Sequence, residues 1–342
     1  MMWRHDEGIR EARPMIPSGS QLFDASPQQN RKTSPSIGIA RESSDRQERS
    51  GLRPGPPPSQ HTRMICVCVD DFGLDVGVNE ASLQLAGMAR VHAVACRVGG
   101  LTWPEWGRRL RRLDADGIDI GLQLDLTQHP VRAGSTLSLG ALIARSYARQ
   151  LDRAQLRAEI RAQLDAFEEV IGHAPAFIGG HRYVHQLPVV CDETLEELDD
   201  RYGAFRPWIG STKRGRINAG VTYAGWRERL APWVVEQLGA PRLARLAREG
   251  GFPQNRHLLG VYGLEGGPVR YLHLLDAWLR SAAYGDLLIC HPGTRPNADA
   301  PHGARVDEFN ALSSEAFGTL LEDWSVNAWP LSQIIFGNSM PA

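Results

Sequence analysis

MICVCVDDFG, residues 64–73, opens with six apolar residues and closes on two carboxylates, a phenylalanine and a glycine. A short apolar run rich in β-branched side chains reads as a strand buried on both faces. Cys66 and Cys68, two residues apart, then share one face of it. The five cysteines, Cys66, Cys68, Cys96, Cys191 and Cys290, are odd in number, scattered and without a CxxC pair. They read as buried free thiols of a reducing compartment, not as a disulfide framework or a structural zinc site.

Outward from this strand the chain alternates. VHAVACRV (91–98), IDIGLQLDL (118–126), AFIGG (176–180), HLLGVYG (257–263) and DLLIC (286–290) read as further strands. Helices are expected near 78–90, 103–113, 191–201 and 272–284. The clearest is 151–171, where Leu156, Ile160, Leu164, Phe167 and Ile171 form one apolar stripe before the stop signals Gly172 and Pro175. Strands alternating with helices imply an α/β fold with a mostly parallel sheet, open or closed into a barrel. Right-handed crossovers then bring every C-terminal strand end to one edge. The stretch 207–256, rich in Trp, Arg and Gly, is expected to hold helices and substrate loops.

Residues 1–63 differ in kind. They are rich in Ser, Pro, Gln and Arg, with GPPPSQ at 55–60 and no periodicity. Such a stretch is expected to be a disordered leader, with Met64 as an alternative start of the natural product. A single catalytic domain then covers 64–342. The chain of 342 residues is 42% hydrophobic, 23% charged and carries a formal net charge of -1, which gives no footprint for nucleic acid or a membrane surface. No apolar stretch is long enough to span a bilayer, and no apolar signal core opens the chain. A cytoplasmic enzyme is expected; exposed aromatic loops allow a homodimer.

The polar residues worth singling out sit where strands end. Asp70 and Asp71 follow 64–69; Gln123 and Asp125 lie in 118–126; His181 and His185 follow 176–180; His291 follows 286–290. Carboxylates and imidazoles gathered in one crevice can bind a divalent metal and still leave an acid and a base free. Adjacent carboxylates also push their pKa values apart. The plainer readings are a turn and helix cap for Asp70-Asp71 and ordinary satisfied histidines elsewhere, as for His92, His129, His173, His257, His273 and His302. Asp-Phe-Gly also occurs in the magnesium loop of protein kinases, but no Gly-rich loop, VAIK lysine or HRD loop accompanies it here. Four sites at successive strand ends favour a shared active site.

Together VDDFG (69–73), GLQLDLT (121–127), HRYVHQLP (181–188) and CHPG (290–293) resemble the YdjC-like carbohydrate deacetylases, which include chitooligosaccharide and hopanoid-biosynthesis deacetylases. The resemblance covers roughly 64–300. It implies a distorted (β/α) TIM-like barrel that removes N-acetyl groups from an amino sugar or oligosaccharide with a divalent metal. It implies Asp70 as general base and Asp71 and His181 as metal ligands. His291 is implied for acid or leaving-group work, with His185 and Arg206 as substrate contacts.

The sequence departs from the family pattern in three places. Gln123 replaces the histidine of a GLHLNLT-like motif, Gly179 and Gly180 replace an Asp-Ser, and Tyr183 replaces the middle histidine of the His-rich motif. Gln123 can offer a neutral carbonyl oxygen as third metal ligand, which suits Mg2+ better than Zn2+, with Mn2+ also allowed. His129, six residues past Gln123 and beyond the strand, is poorly placed to compensate. Tyr202, Trp208, Tyr223 and Trp226 read as core packing first and as sugar platforms second. The altered ligand set motivates an alternative: a degraded homologue that binds a saccharide or partner without turnover.

Overall fold

A computed structural model of the chain describes residues 63–215, 235–296 and 303–337. The expected leader, Tyr223, Trp226 and His302 lie outside the described residues. The first strand, β1, runs Arg63–Phe72 and is central: it pairs in parallel with β2 (Ala93–Cys96), β7 (Asp286–Cys290) and β8 (Val326–Ala328). Beyond β2 come β3 (Asp119–Leu124), β4 (Phe177–Gly180) and the short β5 (Trp208–Ile209); beyond β7 comes β6 (Leu258–Leu259). Every described pairing is parallel. Parallel bridges Ile209–Gln254 and Arg214–Leu258 tie the β5 edge to the β6 edge, so the sheet curls into a distorted barrel. The α/β expectation holds, and so does the convergence of strand ends.

The strand alternation sorts the core into layers. Cys66 and Cys68 point into the barrel with Ala93, Ala95, Phe177, Trp208, Leu287 and Ile289. Ile65, Val67 and Val69 face the helices on the other side. All five cysteines are free and buried. Inside the barrel Phe177 stacks on Trp208 at 4.2 Å, and the indole Nε1 of Trp208 donates to Asp119 Oδ2 at 3.0 Å. Trp208 is therefore core, not a sugar platform.

Helices cover the outside: α1 (Val76–Gly87), α2 (Trp103–Leu110), α3 (Leu139–Tyr147), α4 (Arg153–Ile171), α5 (Val190–Tyr202), α6 (Ala240–Glu249), α7 (Gly267–Ser281), α8 (Ala304–Ser313) and α9 (Glu315–Asp323), whereas α10 (Leu331–Phe336) packs Leu331 and Ile334 against the barrel interior. In α4 the whole expected stripe is buried, Asp152 caps the N-terminus through Gln155 N, and Gly172 ends the helix at φ 94°. Phe167 from that stripe stacks on Trp103 of α2 at 5.9 Å. α7 starts five residues before the expected 272, because Gly266 and Gly267 adopt positive φ and Pro268 fits the first turn. Among the described residues, no helix is long and apolar enough to cross a membrane.

Candidate active site

Asp70 and Asp71 do not follow β1; they lie in its last turn of backbone, at a register shift between Val69 and Phe72. Asp71 takes φ 70°, a left-handed conformation costly for a residue with a Cβ. Such a bulge re-aims side chains, and here it turns the Asp71 carboxylate toward two arginines and a histidine. Its Oδ2 accepts from Arg305 Nη2 of α8 at 2.6 Å; its Oδ1 lies 3.6 Å from Arg97 Nη1 and 3.5 Å from His181 Nδ1. Burial pushes Asp71 up, but His181 and Arg305 outweigh it and hold the carboxyl well below the usual range. Asp70 moves the other way. Burial and the Asp71 charge push it up to about 8, against the pull of Arg305 and Arg97. The adjacent pair thus splits as expected.

Gln123, 2% exposed on β3, uses its Oε1 to accept the Asp71 backbone N–H at 3.0 Å. Asp125, just past β3, is equally buried. It accepts from the backbone N–H of Thr127, Gln128 and His129 at 2.8–3.0 Å, and from Arg97 Nη2 at 2.6 Å. Burial raises Asp125, but the Arg97 charge outweighs it and holds the carboxyl well below its ordinary value.

His181 opens a 3-10 turn, His181–Gln186, in which Arg182 and Tyr183 take φ 52° and 60°. That kink keeps His181 and His185 off a common helical face. His181 stays beside Asp71, whereas His185 is buried behind β4, where Nε2 pairs with the Gly210 carbonyl at 2.7 Å. Burial lowers His185 to about 4, so the ring is neutral and Nε2 is the donor. A Cβ on Gly180 would stand 2.5 Å from His185 Nδ1, so this glycine is what lets the ring pack there. His185 still lines one small cavity inside the barrel with Asp70, Gln123, Gly179 and Tyr183.

His291, past β7, has Nε2 4.0 Å from Asp70 Oδ2 and Nδ1 3.9 Å from Glu308 Oε1. Glu308 of α8 is fully buried; it accepts the His291 backbone N–H at 2.5 Å and the Tyr262 hydroxyl at 2.6 Å. Asp70, Asp71, Gln123, His181 and His291 are therefore brought together at one edge. Arg206 is not. It precedes β5, which puts it at the opposite edge, where it pairs with Asp199 and lies over the Phe252 ring. The arginine expected as a substrate contact thus stands in an ion pair away from the other site residues. Three residues of the site had not been singled out: Arg97, Arg305 and Glu308. Arg97 did carry a signal, a lone charge in the apolar run 91–98; the two on α8 carried none.

The donor set does not fit a divalent ion as it stands. Among the described residues, no three or more His, Cys, Asp and Glu side chains are placed to hold a metal. Gln123 Oε1 is taken up by a backbone N–H, and both Asp71 oxygens face guanidinium groups. Six buried polar atoms at this edge nonetheless lack a hydrogen-bond partner: Asp71 Oδ1, Arg97 Nε and Nη1, His181 Nε2, His291 Nδ1 and Arg305 Nε. Native interiors satisfy such atoms, so their concentration in one place marks a site that a ligand completes.

A sequence model of the family described as "YdjC-like protein" matches residues 64–323. A human protein named carbohydrate deacetylase is 32% identical over 151 residues, 39% of this chain and 45% of that protein. A mouse protein of the same name is 35% identical over 151 residues, with 39% and 46% covered. The aligned part spans about half the length of these curated relatives. Among solved structures, a protein of Enterococcus faecalis V583 named for cellobiose-phosphate cleavage superposes with a TM-score of 0.59. It covers 80% of this chain and 99% of that one at 16% identity, a likeness of fold.

Proposed function

The chain belongs to the YdjC-like protein family, and from that premise we propose that it is a carbohydrate deacetylase, hydrolysing the acetamide of an N-acetylated sugar. One observation carries this reading: two carboxylates and two imidazoles meet at one strand edge, ringed by buried polar atoms without partners. The deacetylase names of the human and mouse relatives support the same reaction class.

In this reading water adds to the acetyl carbonyl, and Asp70 takes the proton from that water. The tetrahedral adduct collapses with cleavage of the C–N bond, and His291, 4.0 Å from Asp70, relays the proton that Asp70 took to the departing amine. The products are acetate and a free amino sugar. Gly179 leaves open space, with nothing within 4 Å of where a Cβ would stand, beside Asp70 and Gln123 in the cavity. No step is routed through a metal, since Gln123 Oε1 is taken up by the Asp71 N–H and both Asp71 oxygens face guanidinium groups.

That arrangement favours a second reading, binding of a saccharide without turnover. Acetate release from a panel of N-acetylated sugars separates the two. The deacetylase reading expects release by the wild type and a drop of about 100-fold or more in Asp70→Asn. Sugar binding with no release by the wild type would establish the second reading.

A further inference from the structure

We infer that the guanidinium of Arg97 stands as the fixed cation beside Asp71, so that this site is built to work without a divalent metal ion; the inference rests on reading this edge as the active site. Arg97 leaves the end of β2 and is 1% exposed. Its Nη2 is held by three groups of one turn: Asp125 Oδ2 at 2.6 Å, Gln128 Oε1 at 2.7 Å and His129 Nδ1 at 2.9 Å. That turn is itself wound round the Asp125 carboxylate by the N–H groups of Thr127, Gln128 and His129. It closes directly on the loop after β2, because a Cβ on Gly99 would stand 1.8 Å from the His129 carbonyl oxygen. The guanidinium is thus gripped from one side by a rigid cap.

On its other side Arg97 offers Nη1, 3.6 Å from Asp71 Oδ1, and both Nη1 and Nε lack partners. Arg305 Nη2 closes on the second Asp71 oxygen at 2.6 Å. The carboxylate therefore sits between two guanidinium groups. A divalent ion coordinated at Oδ1 would have to stand against Arg97, and like charges at such range in a buried site repel strongly. The residue at 123 fits the same design. Gln123 is neutral, and its carbonyl pins the Asp71 N–H, fixing the bulge that aims the carboxylate at the guanidiniums. His129 likewise serves the arginine through Nδ1 and leaves no free ligand there. A planar guanidinium, always charged and with several donors, can carry a permanent positive charge that a metal would otherwise bring.

The test uses the full chain, stripped with chelator and then titrated with Mg2+, Mn2+ or Zn2+, with bound metal and melting temperature as readouts. The wild type is expected to take up no stoichiometric metal and to keep its Tm. Arg97→Met combined with Gln123→His is expected to take up one ion per chain, with a rise of about 5 °C at hundredfold excess over Kd. Arg97→Gln in the same background repeats the arm if the methionine variant does not fold. One tightly held ion per wild-type chain, with a Tm that falls in chelator, overturns the inference. So does a folded double variant that stays as indifferent to metal as the wild type, since Arg97 would not then be what excludes the ion. These readings need no sugar and stand apart from the deacetylase reading. Where acetate release is seen, its persistence in chelator supports the inference, and its loss with recovery on adding metal overturns it.

Discussion

Asp125→Asn changes one atom, yet it should be among the most damaging substitutions in the chain. The carboxylate is 1% exposed and faces the Arg97 guanidinium at 2.6 Å, itself 1% exposed. Asn is isosteric, so no cavity opens. It can keep an oxygen toward Thr127 and Gln128, but its NH2 would then point at two donors, Arg97 Nη2 and His129 N, that Asp125 Oδ2 now satisfies. Removing one partner of a buried ion pair costs about 3–5 kcal/mol. The low end applies, because Arg97 keeps Gln128, His129 and the more distant Asp71. A loss of about 3 kcal/mol should lower Tm by about 6–12 °C in a domain of this size. Urea midpoints and thermal melts measure it. Adding Arg97→Met should recover part of the loss, since no charge is then stranded; the cycle isolates the pairing. A single mutant within about 1 kcal/mol of wild type, or a cycle whose two losses simply add, would refute the reasoning.

Stability should also fall with acid through His185. Its folded pKa of about 4 lies below the ordinary 6.5, so the unfolded chain binds a proton first. The stabilisation is complete above about pH 6.5 and is lost progressively down to about pH 4, by about 3 kcal/mol in all. His185→Gln should flatten that window in urea melts at a series of pH values; an unchanged slope would rule out a buried neutral ring. Phe167→Ala removes a fully buried ring stacked on Trp103 and should cost about 3–5 kcal/mol, with a change in the near-ultraviolet signal of Trp103. Glu308→Gln loses one of the acceptors serving Tyr262 and the His291 N–H, so a loss of about 1–2 kcal/mol is expected together with a lower kcat at little-changed KM. An unchanged kcat would remove Glu308 from any role in positioning His291.

The elements that could be read from the sequence are those whose burial is local. Residues 64–69 are apolar throughout because helices cover one face and the barrel interior the other. The α4 stripe repeats every three or four residues because one side of that helix lies on the sheet. The convergence of Asp70, Asp71, His181 and His291 followed from topology, since strand ends of a parallel sheet share an edge. What escaped was set by distant partners. Arg305 meets Asp71 across 234 positions, and Glu308 meets His291 from one turn further along α8; neither leaves a periodic trace. The positive φ of Asp71 is imposed by the bulge and has no signature in an Asp-Asp pair. Arg206 stands apart from these residues, and a three-residue match says nothing of which end of a strand it occupies. α8, α9, β8 and α10 follow CHPG without strong patterning and were not foreseen.

The most direct measurement is the release of acetate and free amine from N-acetylated oligosaccharides by the full chain, followed together by NMR and amine labelling. The account predicts that both products appear in equal amounts with the wild type and fall to background with Asp70→Asn. Equal rates in the two proteins, or no release from any acetylated sugar by a folded wild type, would contradict it.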